Sequence, residues 1–196
     1  MRYEKGRKDA SRQRILDVAT NRFRQNGIAA SGLAGIMSEA GLTNGAFYPH
    51  FQSKTELVRE CMLAAMEGQT SQVQELIHEG GLKALIAAYL SPEHRDHPEK
   101  GCPSAALLPE IARESMETRT LYGEQLLALV QQIVSALELQ SADSNGKVLG
   151  ILATLVGALQ MARAVNGTAL SGQILASGSD AAQMLAHELE QKASIS

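Results

Sequence analysis

The sequence predicts an all-α protein, in which an N-terminal head of three helices precedes a larger C-terminal helical bundle, with about nine helices in total. Two observations favour this class. Apolar residues recur at helical spacing along most of the 196-residue chain, whereas the alternating Val-, Ile- and Thr-rich runs typical of strands are absent. Glycines follow several of the periodic segments, at positions where helices commonly end.

The first predicted helix runs from about Ser11 to Gln25 and ends at Asn26 and Gly27. Its apolar stripe consists of Ile15, Leu16, Ala19 and Phe23.

Residues 27–54, GIAASGLAGIMSEAGLTNGAFYPHFQSK, predict two further short helices joined by a tight turn. Ser31 is a suitable N-cap for the second helix, because its hydroxyl can accept a hydrogen bond from a free backbone N–H. Gly41 can adopt the left-handed conformation that ends a helix, and Thr43 can cap a third helix that runs to about Pro49. The second helix is apolar at Leu33, Ile36, Met37 and Ala40, and Leu42 anchors the turn in the core.

This is the layout of a helix-turn-helix, whose second helix enters a DNA major groove. Phe47 and Phe51, four residues apart, are expected to point into the core. The residues left facing outward are Asn44, Gly45, Ala46 and Tyr48.

The body is predicted to begin at Ser53, which forms a capping box with Glu56 and starts a helix that extends to about Ile77. Gly80 and Gly81 break the chain before a short helix over residues 82–90. Residues 91–103 predict a polar loop, and residues 104–140 are helical with a kink or a break at Pro109. The predicted domains are residues 1–52 and residues 53–196.

Two helices close the chain. The eighth, about residues 147–165, is apolar nearly all round, which predicts burial on all sides, in the centre of the bundle or against a symmetry mate. The ninth spans about residues 171–191, and one face carries Ile174, Gly178, Ala181, Leu185 and Leu189.

The charge distribution is uneven. The chain carries a net charge of −3, yet residues 1–60 hold ten Lys or Arg against six Asp or Glu, and residues 61–196 hold eight against fifteen. The basic side chains are densest at Arg2, Lys5, Arg7, Lys8, Arg12 and Arg14. A basic head on an acidic body indicates that one end of the molecule meets an anion such as DNA phosphate. The alternative is a solvated, disordered arm.

The compartment predicted is the cytoplasm, with no membrane partner. The charged N-terminus lacks the apolar segment of a signal peptide. The longest apolar run, residues 148–162, is too short to span a bilayer. Two cysteines, Cys61 and Cys102, do not form a disulfide framework, so their thiols are expected to be reduced.

The segment AGLTNGAFYPHFQSK resembles the signature of the TetR (tetracycline-repressor) family, A-G-(V/L)-(S/T)-x-G-x-x-Y-x-H-F-x-(S/N)-K. The matching positions are Ala40, Gly41, Gly45, Tyr48, His50, Phe51, Ser53 and Lys54. The segment SRQRILDVATNRFRQNG is also similar to the first helix of that family. Pro49 departs from the pattern, where a large polar or aromatic residue is common. Gly32 and Gly35 weaken the second helix by up to about 1 kcal/mol each relative to Ala.

This resemblance implies a homodimeric DNA-binding transcriptional regulator, in most cases a repressor, that binds a palindromic double-stranded DNA operator and is released by a small apolar ligand. It also implies a dimer interface through the helices at about residues 147–165 and 171–191. Gly150 and Gly157 share a face that permits close helix approach.

The candidate DNA contacts lie in and around the motif. Tyr48, His50 and Lys54 can contact phosphates, and the amide of Asn44 can bond an adenine edge. The alternative is that Tyr48 and His50 are ordinary surface groups. The full predicted set is Ser31, Thr43, Asn44, Gly45, Ala46, Tyr48, His50 and Lys54.

The candidate ligand-binding residues are Met62, Met66, Tyr89, Cys102, Leu107, Met116, Tyr122, Leu126 and Met161, for a pocket between body helices. Ordinary core packing is the alternative. Cys102 follows Lys100 and precedes Pro103 at a predicted helix start, a setting that can activate a thiol. An alternative function therefore keeps the DNA-binding head and makes Cys102 a redox or electrophile sensor.

Other classes of function have weaker support. His94, His97 and Cys102 have metal-ligand chemistry, but a solvated loop is the better interpretation, so no metal and no cofactor is expected. No nucleophile–base pair, phosphate-binding loop or dinucleotide fingerprint occurs, which argues against an enzyme. A helical interaction protein that does not bind DNA is the remaining alternative.

Overall fold

The computed structural model of this protein describes residues 2–193, with side chains placed for residues 6–191. The described chain is entirely helices, turns and loops, which confirms the all-α prediction. The eight α-helices are α1 Arg2–Asn26, α2 Leu33–Glu39, α3 Lys54–Tyr89, α4 Pro92–Asp96, α5 Pro103–Ile111, α6 Met116–Ala136, α7 Ser144–Ala164 and α8 Ala169–Ala193. Short 3₁₀ turns occur at Asn44–Ala46 and Pro98–Lys100.

The head consists of α1, α2 and the residues up to Phe51, packed around a core of aromatic and aliphatic side chains. The stripe predicted for the first helix is buried as expected, and Phe47 and Phe51 stack in that core with ring centroids 5.6 Å apart. Gly27 and Gly41 have φ angles of 85° and 70°, so the left-handed backbone expected at Gly41 is present.

The start of α2 differs from the prediction. Gly32, not Ser31, occupies the N-cap position, and no side chain caps the helix. Ser31 is completely buried, and its hydroxyl donates to the carbonyl oxygens of Gly27 at 2.7 Å and Arg22 at 3.2 Å. Ser31 therefore ties α1 to the following turn, and its proposed roles as a cap and as a DNA contact were wrong for this conformation.

The predicted third helix is a 3₁₀ turn over Asn44–Ala46, followed by a turn that reaches His50. Thr43 occupies the N-cap position, but its side chain makes no capping hydrogen bond. Pro49 explains the difference from an α-helix, because it has no N–H to donate to the carbonyl of Gly45 and its ring crowds that carbonyl.

The long helix α3 joins the head to the body. Ser53 caps it by accepting a hydrogen bond from the Glu56 N–H at 3.1 Å, as predicted. Gly80 and Gly81 have non-helical backbone angles, with φ of 64° at Gly81, so the predicted break is a kink within one continuous helix.

Residues 91–103, here the 91–103 segment, are ordered as α4 and a 3₁₀ turn instead of the predicted polar loop. Three side chains hold this segment through its backbone. Arg163 of α7 donates to the carbonyls of His94 at 2.6 Å and Arg95 at 3.0 Å. Arg24 of α1 donates to the carbonyl of Gly101 at 3.1 Å. The His94 ring accepts from the Cys102 N–H at 3.0 Å.

The body packs α3, α6, α7 and α8 around a second apolar core. α7 is not buried on all sides within the protomer, so the predicted burial in the centre of the bundle is wrong, and burial against a symmetry mate stays a prediction. By length and composition, the complete helix is long and apolar enough to cross a membrane, unlike the shorter run of residues 148–162, and 33% of its most apolar stretch is buried. Ala153, Gly157 and Met161 are exposed along the open side of the helix.

The inward face of α8 also differs from the prediction. Leu189 is buried as expected, but Ala181 is exposed and Leu185 is 36% exposed. The buried positions are Ser171, Leu175, Ala182, Ala186 and Leu189. α8 packs closely on α7, since a Cβ added at Gly178 would lie 2.4 Å from the Cβ of Ala158.

Helix α5 connects the body to the head. Leu107 and Ile111 are buried in the same apolar cluster as Phe23, Phe47 and Phe51. At the end of α5, the Glu110 carboxylate accepts hydrogen bonds from the N–H groups of Ile28 at 2.9 Å and Ala29 at 2.8 Å. The head core therefore includes α5 and the first turns of α3. The division at residue 52 remains a prediction about independent folding units.

We expect Glu110→Ala to loosen the attachment of the head to the body, because two backbone N–H groups lose a charged acceptor. Hydrogen exchange of the Ile28 and Ala29 amides should accelerate by about tenfold. Glu114→Ala is the matched control, since Glu114 lies in the same surface cleft and its side chain makes no hydrogen bond or ion pair among the described residues. Equal exchange rates in the two variants would contradict the proposed attachment.

Candidate functional site

The 3₁₀ turn and its flanks, residues 43–50, form an exposed turn of the head and are here called the reading segment. Thr43, Asn44 and Gly45 are exposed, and Ala46 is half-buried. Tyr48 is 69% exposed and its ring stands edge-on to Phe47, with centroids 5.4 Å apart. The hydrophobic contact of Phe47 and Phe51 thus fixes the backbone from which these polar side chains project.

Basic side chains from α1 lie beside the reading segment. Partial burial, with the charges of Lys8 and Arg12 as secondary causes, lowers the pKa of His50. His50 is therefore neutral near pH 7 in the free protein. Arg12 lies 4.8 Å above the Phe51 ring and forms an ion pair with Glu60. Of the other predicted basic positions, Arg7, Lys8 and Arg14 are exposed, whereas Arg2 and Lys5 lie outside the described side chains.

Lys54 is turned partly inward. Its ammonium donates to the carbonyl of Ile28 at 2.6 Å and lies 5.9 Å from the centroid of the Phe23 ring. One of its three N–H donors is thus used inside the head, and the others remain for an external acceptor.

A cavity of about 340 Å³ lies in the body between α3 and the 91–103 segment. Its apolar walls include Val73, Leu76, Leu85 and Ala88. Glu93, His97 and Lys100 line its more exposed part.

Two of the nine predicted ligand-binding residues line this cavity, Tyr89 and Cys102. The other seven do not line it, and their role in ligand binding stays a prediction. Met62, Met66 and Leu107 pack in the apolar core of the head. The Tyr122 hydroxyl donates a hydrogen bond to the Ser104 hydroxyl at 2.9 Å. Leu126 packs on the body core, while Met116 and Met161 are 69% and 62% exposed. Sequence periodicity identified them as apolar helix positions but could not say which helix face meets a cavity.

The inner end of the cavity is polar. Gln69, Tyr89 and Cys102 are only 8%, 6% and 5% exposed. The Gln69 amide donates to the Cys102 sulfur at 3.0 Å. Neither its carbonyl oxygen nor the Tyr89 hydroxyl has a partner with hydrogen-bond geometry among the described residues. Burial, together with the neighbouring Cys102 side chain, raises the pKa of Tyr89 well above its usual value. Gln69 was missed by sequence reasoning, although a Gln on the apolar face of α3 was a visible signal.

The His94 ring forms the wall beside Cys102. It accepts from the Cys102 N–H through Nε2 and therefore donates through Nδ1 to the carbonyl of Tyr89 at 2.7 Å. Both nitrogens are occupied and the ring is neutral, in agreement with a pKa lowered by burial. This arrangement does not support a metal site at His94, His97 and Cys102. No group of three or more His, Cys, Asp or Glu in the described chain is placed to hold a metal ion.

The cavity shares a wall with the junction of head and body. Gln69, Gln72, Lys100 and Gly101 border both the cavity and a second cleft, lined on its other side by Leu16, Thr20 and Arg24 of α1. Arg24, which donates to the carbonyl of Gly101, therefore connects this wall to the head.

The chain was compared with known proteins. Residues 15–61 match the family model described as bacterial regulatory proteins, tetR family. The HTH-type transcriptional regulator AcrR of Shigella flexneri is 46% identical over 50 residues, which cover 26% of this chain and 23% of that protein. The first curated relatives are thus matched over less than a third of their length.

Solved structures share the fold over most of the chain. The reduced form of NemR from E. coli has a TM-score of 0.72 at 19% identity, covering 89% of this chain and 96% of that one. A TetR-family transcriptional regulator from Agrobacterium tumefaciens has a TM-score of 0.71 at 20% identity, covering 88% and 97%. Residues 15–61 of the head thus match the tetR family of bacterial regulatory proteins, and most of the chain shares the all-α fold of these solved structures.

Proposed function

We propose that the protein is a DNA-binding transcriptional regulator, in the repressor mode, that binds a palindromic operator as a homodimer and is released by a small molecule. The observation that carries this proposal is the reading segment. It combines an exposed Asn44, an exposed Tyr48 and neighbouring basic side chains on a backbone fixed by two buried phenylalanines. Such a surface offers an amide for a base edge and cations for phosphates.

A dimer is supported by the uncovered apolar surface of α7 and α8, here called the α7–α8 face. Gly150, Ala153, Gly157 and Met161 follow one side of α7, and Leu170, Ile174 and Leu185 lie on α8. Apolar surface of this kind is typical of an interface between subunits. Two-fold pairing would present two reading segments to half-sites about 34–36 Å apart or a multiple of that distance.

Ligand control is supported by the wall between the cavity and the junction of head and body. A ligand beside Gln69 and Cys102 would favour one position of the 91–103 segment. Arg24 contacts this segment at its Gly101 end, and α5 carries Glu110 from its other end to the head. Linkage requires that ligand and operator then weaken each other's binding to the same extent.

DNA binding is tested by anisotropy titrations of DNA from the region upstream of the gene that encodes this protein, against random competitor, over a series of salt concentrations. We expect specific binding that weakens steeply with salt. Asn44→Ala should lower affinity by about tenfold or more, since a bidentate base contact discriminates by about 1–3 kcal/mol. Asn145→Ala, an exposed Asn on the body, is the matched control. Equal affinity for random DNA would oppose the proposal.

Dimerisation is tested by analytical ultracentrifugation. We expect wild-type protein to sediment as a dimer and Met161→Glu to shift it toward monomer, because a carboxylate on the α7–α8 face would be desolvated against its symmetry mate. Leu127→Glu is the control, since Leu127 is 52% exposed on α6, away from that face. A wild-type monomer at micromolar concentration would rule out this interface.

A second candidate keeps the DNA-binding head and makes Cys102 the sensor of an oxidant or electrophile. It is favoured by the position of the Cys102 sulfur, which lines the cavity and accepts the Gln69 amide N–H. A small electrophile that enters the cavity would therefore meet this sulfur.

Operator release by N-ethylmaleimide separates the two candidates. Under the sensor hypothesis, Cys102→Ser should bind DNA and resist release, whereas Cys61→Ser should respond like the wild type. Cys61 is a suitable control because burial raises its pKa to about 12, which leaves it unreactive. Release of the Cys102→Ser variant at the wild-type rate would eliminate Cys102 as the sensor.

A further inference from the structure

The inner end of the cavity contains two buried polar atoms that lack partners. The Gln69 side-chain oxygen and the Tyr89 hydroxyl make no hydrogen bond within the described residues, although each residue is more than nine-tenths buried. Buried polar groups in native proteins are almost always paired, so two unpaired groups on residues that line one cavity can be satisfied by a molecule that enters it.

The chemistry of these two atoms limits the partner. The Gln69 oxygen only accepts hydrogen bonds, whereas the Tyr89 hydroxyl, kept protonated by burial, donates one. The Gln69 NH₂ group is already directed at the Cys102 sulfur. A matching ligand group must therefore both donate and accept.

The charged side chains near the cavity further restrict the chemical class of the ligand. Two guanidinium groups flank the inner end without lining it, since Arg24 lies behind Gly101 and Arg163 lies behind His94, and both donate to backbone carbonyls. They oppose a cationic ligand. A carboxylate has no proton to give the Gln69 oxygen, and its negative charge would face that oxygen in a desolvated site.

The apolar side chains that line the cavity indicate the chemistry of the other end of the ligand. Val73, Leu76, Leu85 and Ala88 form an apolar wall that leads from the polar end, in a cavity of about 340 Å³. This volume lies within the ordinary range for small-molecule sites.

We propose that the cavity binds a neutral ligand with an apolar body and one terminal hydroxyl, phenolic or alcoholic, that bonds both Gln69 and Tyr89. This inference rests on the proposed function only in treating the cavity as the effector site. The ligand chemistry itself follows from the cavity and is measured without DNA.

The test uses three probes of similar shape on the full-length protein, followed by probe fluorescence and isothermal titration calorimetry. The probes are 2-naphthol, its methyl ether and 2-naphthoate, which present a hydroxyl, an acceptor without a proton, and an anion. The chain contains no Trp and four Tyr, so protein fluorescence interferes little with the naphthyl signal. We expect 2-naphthol to bind about tenfold or more tightly than either analogue.

Substitutions at the two unpaired residues test whether they cause the preference for 2-naphthol. Gln69→Leu and Tyr89→Phe should each reduce the preference of the protein for 2-naphthol over the ether, and the double variant should abolish it. Gln74→Leu, the same change at an exposed position of the same helix that does not line the cavity, should retain the preference. Circular dichroism and binding of the methyl ether show that each variant is folded with an intact cavity.

The outcomes distinguish this inference from the proposed function. If 2-naphthol binds no better than its ether, if the anion binds best, or if none of the probes binds, the inference is overturned, whatever the protein does with DNA. If 2-naphthol shows the expected preference but leaves operator affinity unchanged, the ligand class stands and control of DNA binding by this cavity fails.

Discussion

The placement of the 91–103 segment is the constraint on which the cavity and the attachment of the head both depend. Arg163 is more than half withdrawn from solvent, and burial lowers its pKa. A guanidinium in this position requires acceptors, and it finds them in the carbonyls of His94 and Arg95. Because the acceptors belong to the backbone, the charge of one α7 side chain fixes the path of a segment more than sixty residues away in sequence.

The fixed segment organises both ends of α5. At its start, the Cys102 N–H bonds the neutral His94 ring, which closes the inner wall of the cavity. At its end, Glu110 accepts two N–H groups from the turn that follows α1. The nine-residue helix α5, whose apolar side lies in the head core, spans the distance between these two contacts. The cavity and the head are therefore linked through α5 as well as through the long helix α3.

The three proposed functions, DNA recognition, ligand binding and dimerisation, are assigned to surfaces of different polarity. In the head, buried aromatic rings hold an exposed polar turn, which suits recognition of a polar groove. In the body, an apolar cavity retains two unsatisfied polar atoms at its inner end, which suits a ligand with one polar group. The α7–α8 face is apolar and open, which suits a second copy of the chain. Each of these surfaces exposes groups that a binding partner, and not the protomer itself, would pair or cover.

The sequence by itself determined the helical class, the kink at Gly80 and Gly81, the cap at Ser53 and the family of the head, because these depend on local periodicity and turn chemistry. Tertiary structure decided the rest. Burial of Ser31, the inward face of α8 and the ordering of the 91–103 segment depend on partners distant in sequence, such as Arg163. Gln69 became a site residue only when folding placed it beside Tyr89 and Cys102, because a cavity is a property of packing and not of helical spacing.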